Sequence, residues 1–142
     1  KTALANADTV LYLGDNAGEI AFDKLFLEIA KPRKNYYAVK GGPILNDATE
    51  KDALAVDMAE VAEVISNGYD APSTVLKHSS RDFRKIFDTA NVIISKGQGN
   101  LEGLISSNDS RIFFLLMIKC EVIAEILNVK KGDFVVFNHG LI

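Results

Sequence analysis

The sequence predicts an α/β fold of three layers, a mostly parallel sheet with helices on both faces, Rossmann-like in outline. Three observations carry that expectation. Short apolar runs alternate with stretches of helical periodicity along the whole chain. The runs are continuously apolar rather than alternating, as strands are when both faces of a sheet are covered. Most of them stop abruptly in small, polar or charged residues, which is how parallel strands end at a ligand crevice.

The elements follow in order. Residues 10–13 (VLYL) read as the first strand, stopped by Gly14. Residues 19–30 carry Ile20, Phe22, Leu25, Phe26 and Ile29 near helical spacing, and Pro32 closes that helix. Residues 36–39 are the second strand, broken by Gly41-Gly42-Pro43. Residues 48–61 look helical, with Leu54, Met58 and Val61 on one side. Val64 and Ile65 start a third strand that ends at Asn67-Gly68. Residues 80–90 put Phe83, Ile86 and Phe87 on one helix face. Residues 92–94 are the fourth strand, followed by Gly97-Gln98-Gly99, and residues 101–105 are a short helix. Residues 111–118 are the fifth strand, 122–127 a short helix, and 134–137 the sixth strand. There is no repeat, low-complexity stretch or linker, so residues 1–142 are expected to form a single α/β domain. Right-handed crossovers then place helices on both faces.

Bulk properties narrow the function. The chain is 48% hydrophobic and 25% charged, as expected of a globular domain. A net charge of −3 is too mild to suggest a nucleic acid or a membrane surface as partner. No apolar run reaches the length of a membrane span, and no secretory leader is evident. The first residue is Lys1, not Met, so a fragment or processed product is one reading. The lone Cys120 excludes an internal disulfide framework and a cysteine-based zinc site, and a cytoplasmic location is the simple expectation.

Chemistry is expected beyond the carboxyl ends of the strands. Gly14-Asp15-Asn16 follows the first strand and Lys40-Gly41-Gly42-Pro43 through Asp47 the second. Ser66-Asn67-Gly68-Tyr69-Asp70 follows the third, Lys96-Gly97-Gln98-Gly99-Asn100 the fourth, Lys119-Cys120 the fifth, and Asn138-His139-Gly140 the sixth. Asp15, Asn16 and Asp47 offer two carboxylates and an amide oxygen, a donor set for a hard or borderline divalent cation such as Mg²⁺ or Mn²⁺. The competing reading is that each acid–amide pair caps a helix. Two such pairs at one sheet edge favour a shared metal. Gly97 and Gly99 allow backbone N–H groups close to an anion, and Lys96 offers a point charge to phosphate. A plain glycine-rich turn remains the alternative, and Gly41-Gly42 poses the same choice. The glycines form neither a Walker A loop nor a G-x-G-x-x-G fingerprint. His78 is expected at an exposed helix start, His139 just after a strand, Cys120 as a small buried hydrophobe, and Phe113 and Phe114 in the core.

Five motifs in order, GDNAGEI, PILNDAT, VISNGYDAPST, ISKGQGNLEG and the IKC after the fifth strand, resemble the DUF89 family, the damage-control phosphatases. The resemblance runs from about Val10 to Phe137. It implies metal-dependent hydrolysis of phosphate monoesters, including sugar phosphates and damaged phosphometabolites, with Mn²⁺, Co²⁺, Ni²⁺ or Mg²⁺ as cofactor. By that resemblance Asp15, Asn16 and Asp47 match metal ligands and Lys96 a phosphate-binding lysine, with Asn100 and Glu102 in the same motif. Members of the family usually carry a helical N-terminal region that contributes to the substrate pocket, and this chain starts almost at the first core strand. Ser73 stands where Gly is expected, and Glu121 where Pro is expected. Two rivals remain from the sequence: a phospho-ligand or nucleotide-binding module without turnover, and a carboxyl methyltransferase.

Overall fold

A computed structural model describes residues 2–139; Lys1 and residues 140–142, Gly140 among them, lie outside the described residues. Six strands form one sheet: β1 (Thr9–Leu13), β2 (Lys34–Val39), β3 (Glu63–Ser66), β4 (Val92–Lys96), β5 (Ile112–Met117) and β6 (Phe134–Phe137). Their order is β3-β2-β1-β4-β5-β6. The first five are parallel, and β6 pairs antiparallel with β5. The helices are α1 (Thr2–Ala5), α2 (Ile20–Ala30), α3 (Glu50–Ala55), α4 (Arg81–Thr89), α5 (Gln98–Leu104) and α6 (Glu121–Leu127).

Strand side chains alternate between two cores. Leu11, Leu13, Ile93 and Phe114 join Phe83, Phe87, Leu101 and Leu104 from α4 and α5 on one face. Val10, Tyr12, Tyr37, Val39, Val92 and Ile94 join Leu27 of α2, Ala53 of α3 and Met58 on the other. The expected doubly covered sheet is thus the observed one.

Several elements differ in detail. The expected 48–61 helix is two pieces. Asp57 adopts a left-handed backbone (φ 52°), which ends α3 and starts a 3-10 turn at Met58–Glu60. That break shifts the phase, so Met58 is buried while Leu54 faces solvent. Helix α2 ends at a left-handed Lys31, one residue before Pro32, and its face is turned from the one expected. Phe22 and Ile29 are 73% and 75% exposed, whereas Asp23 is buried with Ile20 and Leu27. Helix α5 begins at Gln98, so the glycine-rich segment is its first turn rather than a loop before it. Phe114 is fully buried, while Phe113 is partly buried and lines a cavity of about 220 Å³ with Leu4, Phe26, Ile94 and Val136. That cavity marks where the α2 side of the sheet is thinly covered, and Val136 on β6, which lines it, is exposed, as is Phe134 on the same strand. Cys120 is half-buried against the core, and Gln98 Nε2 lies 3.4 Å from its sulfur.

Arg111 closes the far end of α4. Its guanidinium donates to the carbonyls of Phe87, Asp88 and Ala90 at 2.9–3.1 Å and pairs with Asp109 at 2.6 Å. Arg111→Ala leaves carbonyls of the last turn unmet and should cost about 2 kcal/mol of stability, read as a shift in the urea midpoint. The Arg111 bond holds the Asp109 carboxyl below the ordinary aspartate range. Its stabilisation is therefore present above the unfolded-chain value and lost as pH falls through the depressed one. Wild type and Arg111→Ala should accordingly differ less in strong acid than at neutral pH.

Candidate functional site

Register sets the site. Leu13 pairs with Ala38 on one side and Ser95 on the other, so the chain leaves β1, β2 and β4 at the same level. The loops after β1 and β2 are then tied together. Ala48 N–H donates to Asp15 O at 2.7 Å, Ala17 N–H donates to Asn46 O at 2.8 Å, and Asn16 and Asp47 form an isolated antiparallel bridge. Neither acid caps a helix. The N-cap of α2 is Glu19, and that of α3 is Thr49, whose N–H donates to Asp52 at 2.8 Å.

The side chains at this edge form two groups. In the first, Asn16 Nδ2 donates to Asp15 Oδ2 (3.0 Å) and Glu19 Oε1 (2.8 Å), and Asn46 Nδ2 donates to Asn16 Oδ1 (2.6 Å). Lys40 lies 3.5 Å from Asp47 and donates to Ser73 O at 2.6 Å. Among the described residues Asp15 has no ion pair. Burial pushes its carboxyl above the ordinary range, the Asp47 and Glu19 charges push the same way, and Lys119 and Lys40 oppose them. In the second group, Lys96 at the end of β4 donates to Glu19 Oε2 and Asp23 Oδ1, both at 2.8 Å. Asp23 also accepts from the hydroxyls of Tyr12 (2.6 Å) and Tyr37 (2.8 Å).

Glycines keep the two groups close. Gly97 has φ +80°, and a Cβ there would collide with the Asp15 carboxylate. A Cβ on Gly41 would sit 2.6 Å from Tyr69 N, so this glycine lets the loop after β2 pack against the loop after β3. Gly42 lies against Asp70, and Gly99 against the backbone of Ser73. These contacts give Gly41, Gly42 and Gly99 packing neighbours within the protein.

Asn100, expected among the phosphate-binding residues, is 1% exposed and spent internally. Its amide nitrogen donates to Gly14 O and Lys96 O, and its oxygen accepts from Thr74 and, at 3.4 Å, Lys40. It joins the ends of β1 and β4. Glu102 accepts from Gln98 one turn earlier on α5. His78 is exposed and stacks on Tyr69, and α4 starts after it, capped by Ser80. His139 bonds Ile105 O at 3.0 Å and packs edge-on to Phe137, which anchors the last strand.

A cavity of about 530 Å³ opens between the polar edge and the sheet's outer strands. Asp15, Glu19, Lys96, Gly97, Gln98 and Lys119 line one side, and Leu115, Met117, Phe134 and Val136 the other. Sequence reasoning gave no role to Glu19 or Asp23, and placed Lys40 and Lys119 at this edge without assigning them one. Glu19 and Asp23 carried a signal, since two acids spaced i, i+4 in a helix share a face. Among the described residues no helix is long and apolar enough to cross a membrane. Nor does any group of three or more His, Cys, Asp or Glu converge as a metal cage. The Asp15–Asn16–Asp47 set is of another kind, two acids and an amide.

The fold and this edge define an α/β domain with a charged crevice beyond the ends of its parallel strands. The chain belongs to the family of the damage-control phosphatase ARMT1-like domain, which it matches over residues 1–135. It is 46% identical over 132 residues to a protein of Pyrococcus horikoshii named as a damage-control phosphatase, covering 91% of this chain and 46% of that one. It is 39% identical over 129 residues to one so named from Archaeoglobus fulgidus, covering 89% and 45%. The crystal structure of a DUF89 family protein from Pyrococcus horikoshii superposes with a TM-score of 0.94 at 42% identity, over 97% of this chain and 50% of that one. The chain thus spans about half the length of the curated relatives it matches.

The two departures from the family pattern have physical counterparts. Ser73 has φ +76°, a conformation suited to glycine, and its buried hydroxyl has no hydrogen-bond partner among the described residues. Glu121 is the first residue of α6, the position that favours proline. Ser73→Gly should raise stability by about 1 kcal/mol, and Gly97→Ala should lower it by about 2 kcal/mol, both measured by urea unfolding.

Proposed function

We propose that the chain is the catalytic core of a metal-dependent phosphatase that hydrolyses phosphate monoesters of small metabolites, such as sugar phosphates or damaged phosphometabolites. One observation carries this reading. Asp15 is fixed beside Asp47 by backbone ties, caps no helix, and is left among like charges without an ion-pair partner among the described residues. Relatives named as damage-control phosphatases support the reaction class. A binding module without turnover would have no use for two acids held this way.

The donors suit a hard or borderline divalent ion: Mn²⁺, Co²⁺, Ni²⁺ or Mg²⁺. Asp15 and Asp47 would hold it, and Asn16 would join them by turning its amide so that Oδ1 replaces Nδ2 at Asp15. Such an ion supplies charge neutralisation at phosphate and a bound water as nucleophile. Lys96, on the same side of the cavity as Asp15, offers its ammonium to a phosphate oxygen. Gly97 keeps backbone, without a side chain, between Lys96 and Asp15. Asp15, Glu19, Asp23 and Asp47 outnumber Lys40, Lys96 and Lys119, so the edge alone repels a phosphate dianion. Phosphate should therefore bind only when the cation is present.

The half-length match and the apolar surfaces left open on α2 and β6 support a further reading of residues 1–142. They form one α/β unit, the core of a longer protein whose helical N-terminal region lies outside this chain. A small-metabolite substrate and a lone cysteine support a cytoplasmic setting. Calorimetric titration tests the central reading. Wild type should bind about one Mn²⁺ per chain, and Asp15→Ala and Asp47→Ala should each weaken it more than about tenfold. Inorganic phosphate should bind the Mn²⁺-loaded protein and not the metal-free one. A wild type that takes up no Mn²⁺, or variants that match it, would overturn the proposal.

A further inference from the structure

The second charge group does more than neutralise itself. Lys96 has two carboxylate partners at the same distance, 2.8 Å, yet the two sit in different surroundings. Asp23 has a side chain 2% exposed and lies behind Lys96, on α2, against the sheet. The Glu19 side chain is 42% exposed and lines the cavity.

Asp23 is held from three directions. Tyr12 and Lys96 donate to Oδ1, and Tyr37 donates to Oδ2. The two tyrosine rings stack at 5.4 Å, which fixes both hydroxyls relative to each other. Gly14 makes room for the Tyr37 hydroxyl, because a Cβ there would lie 2.5 Å from it. Burial, then the Asp23 charge, raises both tyrosines far above their ordinary range, so they remain protonated donors at Asp23.

We propose that Asp23 is the positioning residue for Lys96, and that Glu19 is the partner that phosphate displaces. This rests on the phosphatase reading of the site. An ammonium has three donors in a fixed tripod. Anchoring one of them to a buried, doubly clamped carboxylate directs the others toward the cavity. Removing Asp23 from Lys96 would leave a buried carboxylate short of its cation, which is strongly unfavourable. Removing Glu19 from Lys96 leaves a half-exposed carboxylate that keeps its bond from Asn16 and is otherwise met by water. An arriving phosphate oxygen therefore exchanges with Glu19 and leaves Asp23 in place. Burial alone would push the Lys96 ammonium down, but the bonds and charges of Asp23 and Glu19 outweigh it and hold it above the ordinary lysine range.

The two carboxylates should then respond with opposite signs. With Mg²⁺ bound, Asp23→Asn should weaken inorganic phosphate binding about tenfold, and Glu19→Gln should strengthen it about threefold. The ¹⁵Nζ–H signal of Lys96, seen by NMR in wild type because its protons are held, should persist in Glu19→Gln and vanish into exchange in Asp23→Asn. If Asp23→Asn does not fold, Tyr12→Phe and Tyr37→Phe carry the test. Each should weaken phosphate binding about threefold and speed Nζ proton exchange. An Asp23→Asn protein with unchanged signal and affinity overturns the proposal, as do unchanged tyrosine variants or a Glu19→Gln that loses affinity like Asp23→Asn. If wild type binds no phosphate, the phosphatase reading fails, while the Lys96 signal still decides whether Asp23 clamps it.

Discussion

The register of β1 between β2 and β4 is the constraint on which the site depends. Leu13 stands level with Ala38 and with Ser95, so three chain exits meet at one height. A shift of one residue in either pairing would turn Tyr12 or Tyr37 to the other face and separate Asp23 from its hydroxyl donors. It would also carry Gly97 away from Asp15. The buried Asn100 amide reinforces the arrangement by bonding the carbonyls at the ends of β1 and β4.

Around that frame the protein keeps an unusual density of charge at low exposure. Lys40, Asp23 and Asn100 are all buried at the same edge. Isolated, each would be expensive to bury. Together they satisfy one another through Ser73 O, the two tyrosines and Thr74. The Asp15 carboxylate is the member left out, and burial and its acidic neighbours both disfavour its charge. An acid disfavoured in this way at a cavity wall is what the proposed cation site calls for.

Much of this was legible in the sequence because it is local. Apolar runs cut off by Gly14, Gly41 and Gly97 marked the strand ends, and their polar successors marked the edge. Helices α3 and α4 were expected to start at residues 48 and 80, a residue or two before the observed Glu50 and Arg81. What escaped depends on distant pairing. Lys96 and Asp23 are separated by 73 positions and meet only once α2 lies across β1. The orientation of α2 was misread because its apolar residues exceed what one face can bury, and the acid at Asp23 takes a core position instead of Phe22. The burial of Asn100 was not legible either, because polar residues in glycine-rich turns usually face solvent; here the turn is wound into α5 and points the amide inward. The antiparallel direction of β6 follows from the short connection after α6, which no residue type announces.

The strand order also bears on how the molecule is made. Of the six strands described, the first to be synthesised lies in the middle of the sheet, and its second neighbour, β4, follows some eighty residues later. Until then a nascent chain exposes one bare edge of β1, a strand whose residues Val10 to Leu13 are all apolar or aromatic. Such an edge invites pairing with another chain. The interval before β4 docks is therefore when this protein is most exposed to misassembly during synthesis. The charged edge, which needs Gly97 against Asp15, cannot be complete before that interval closes.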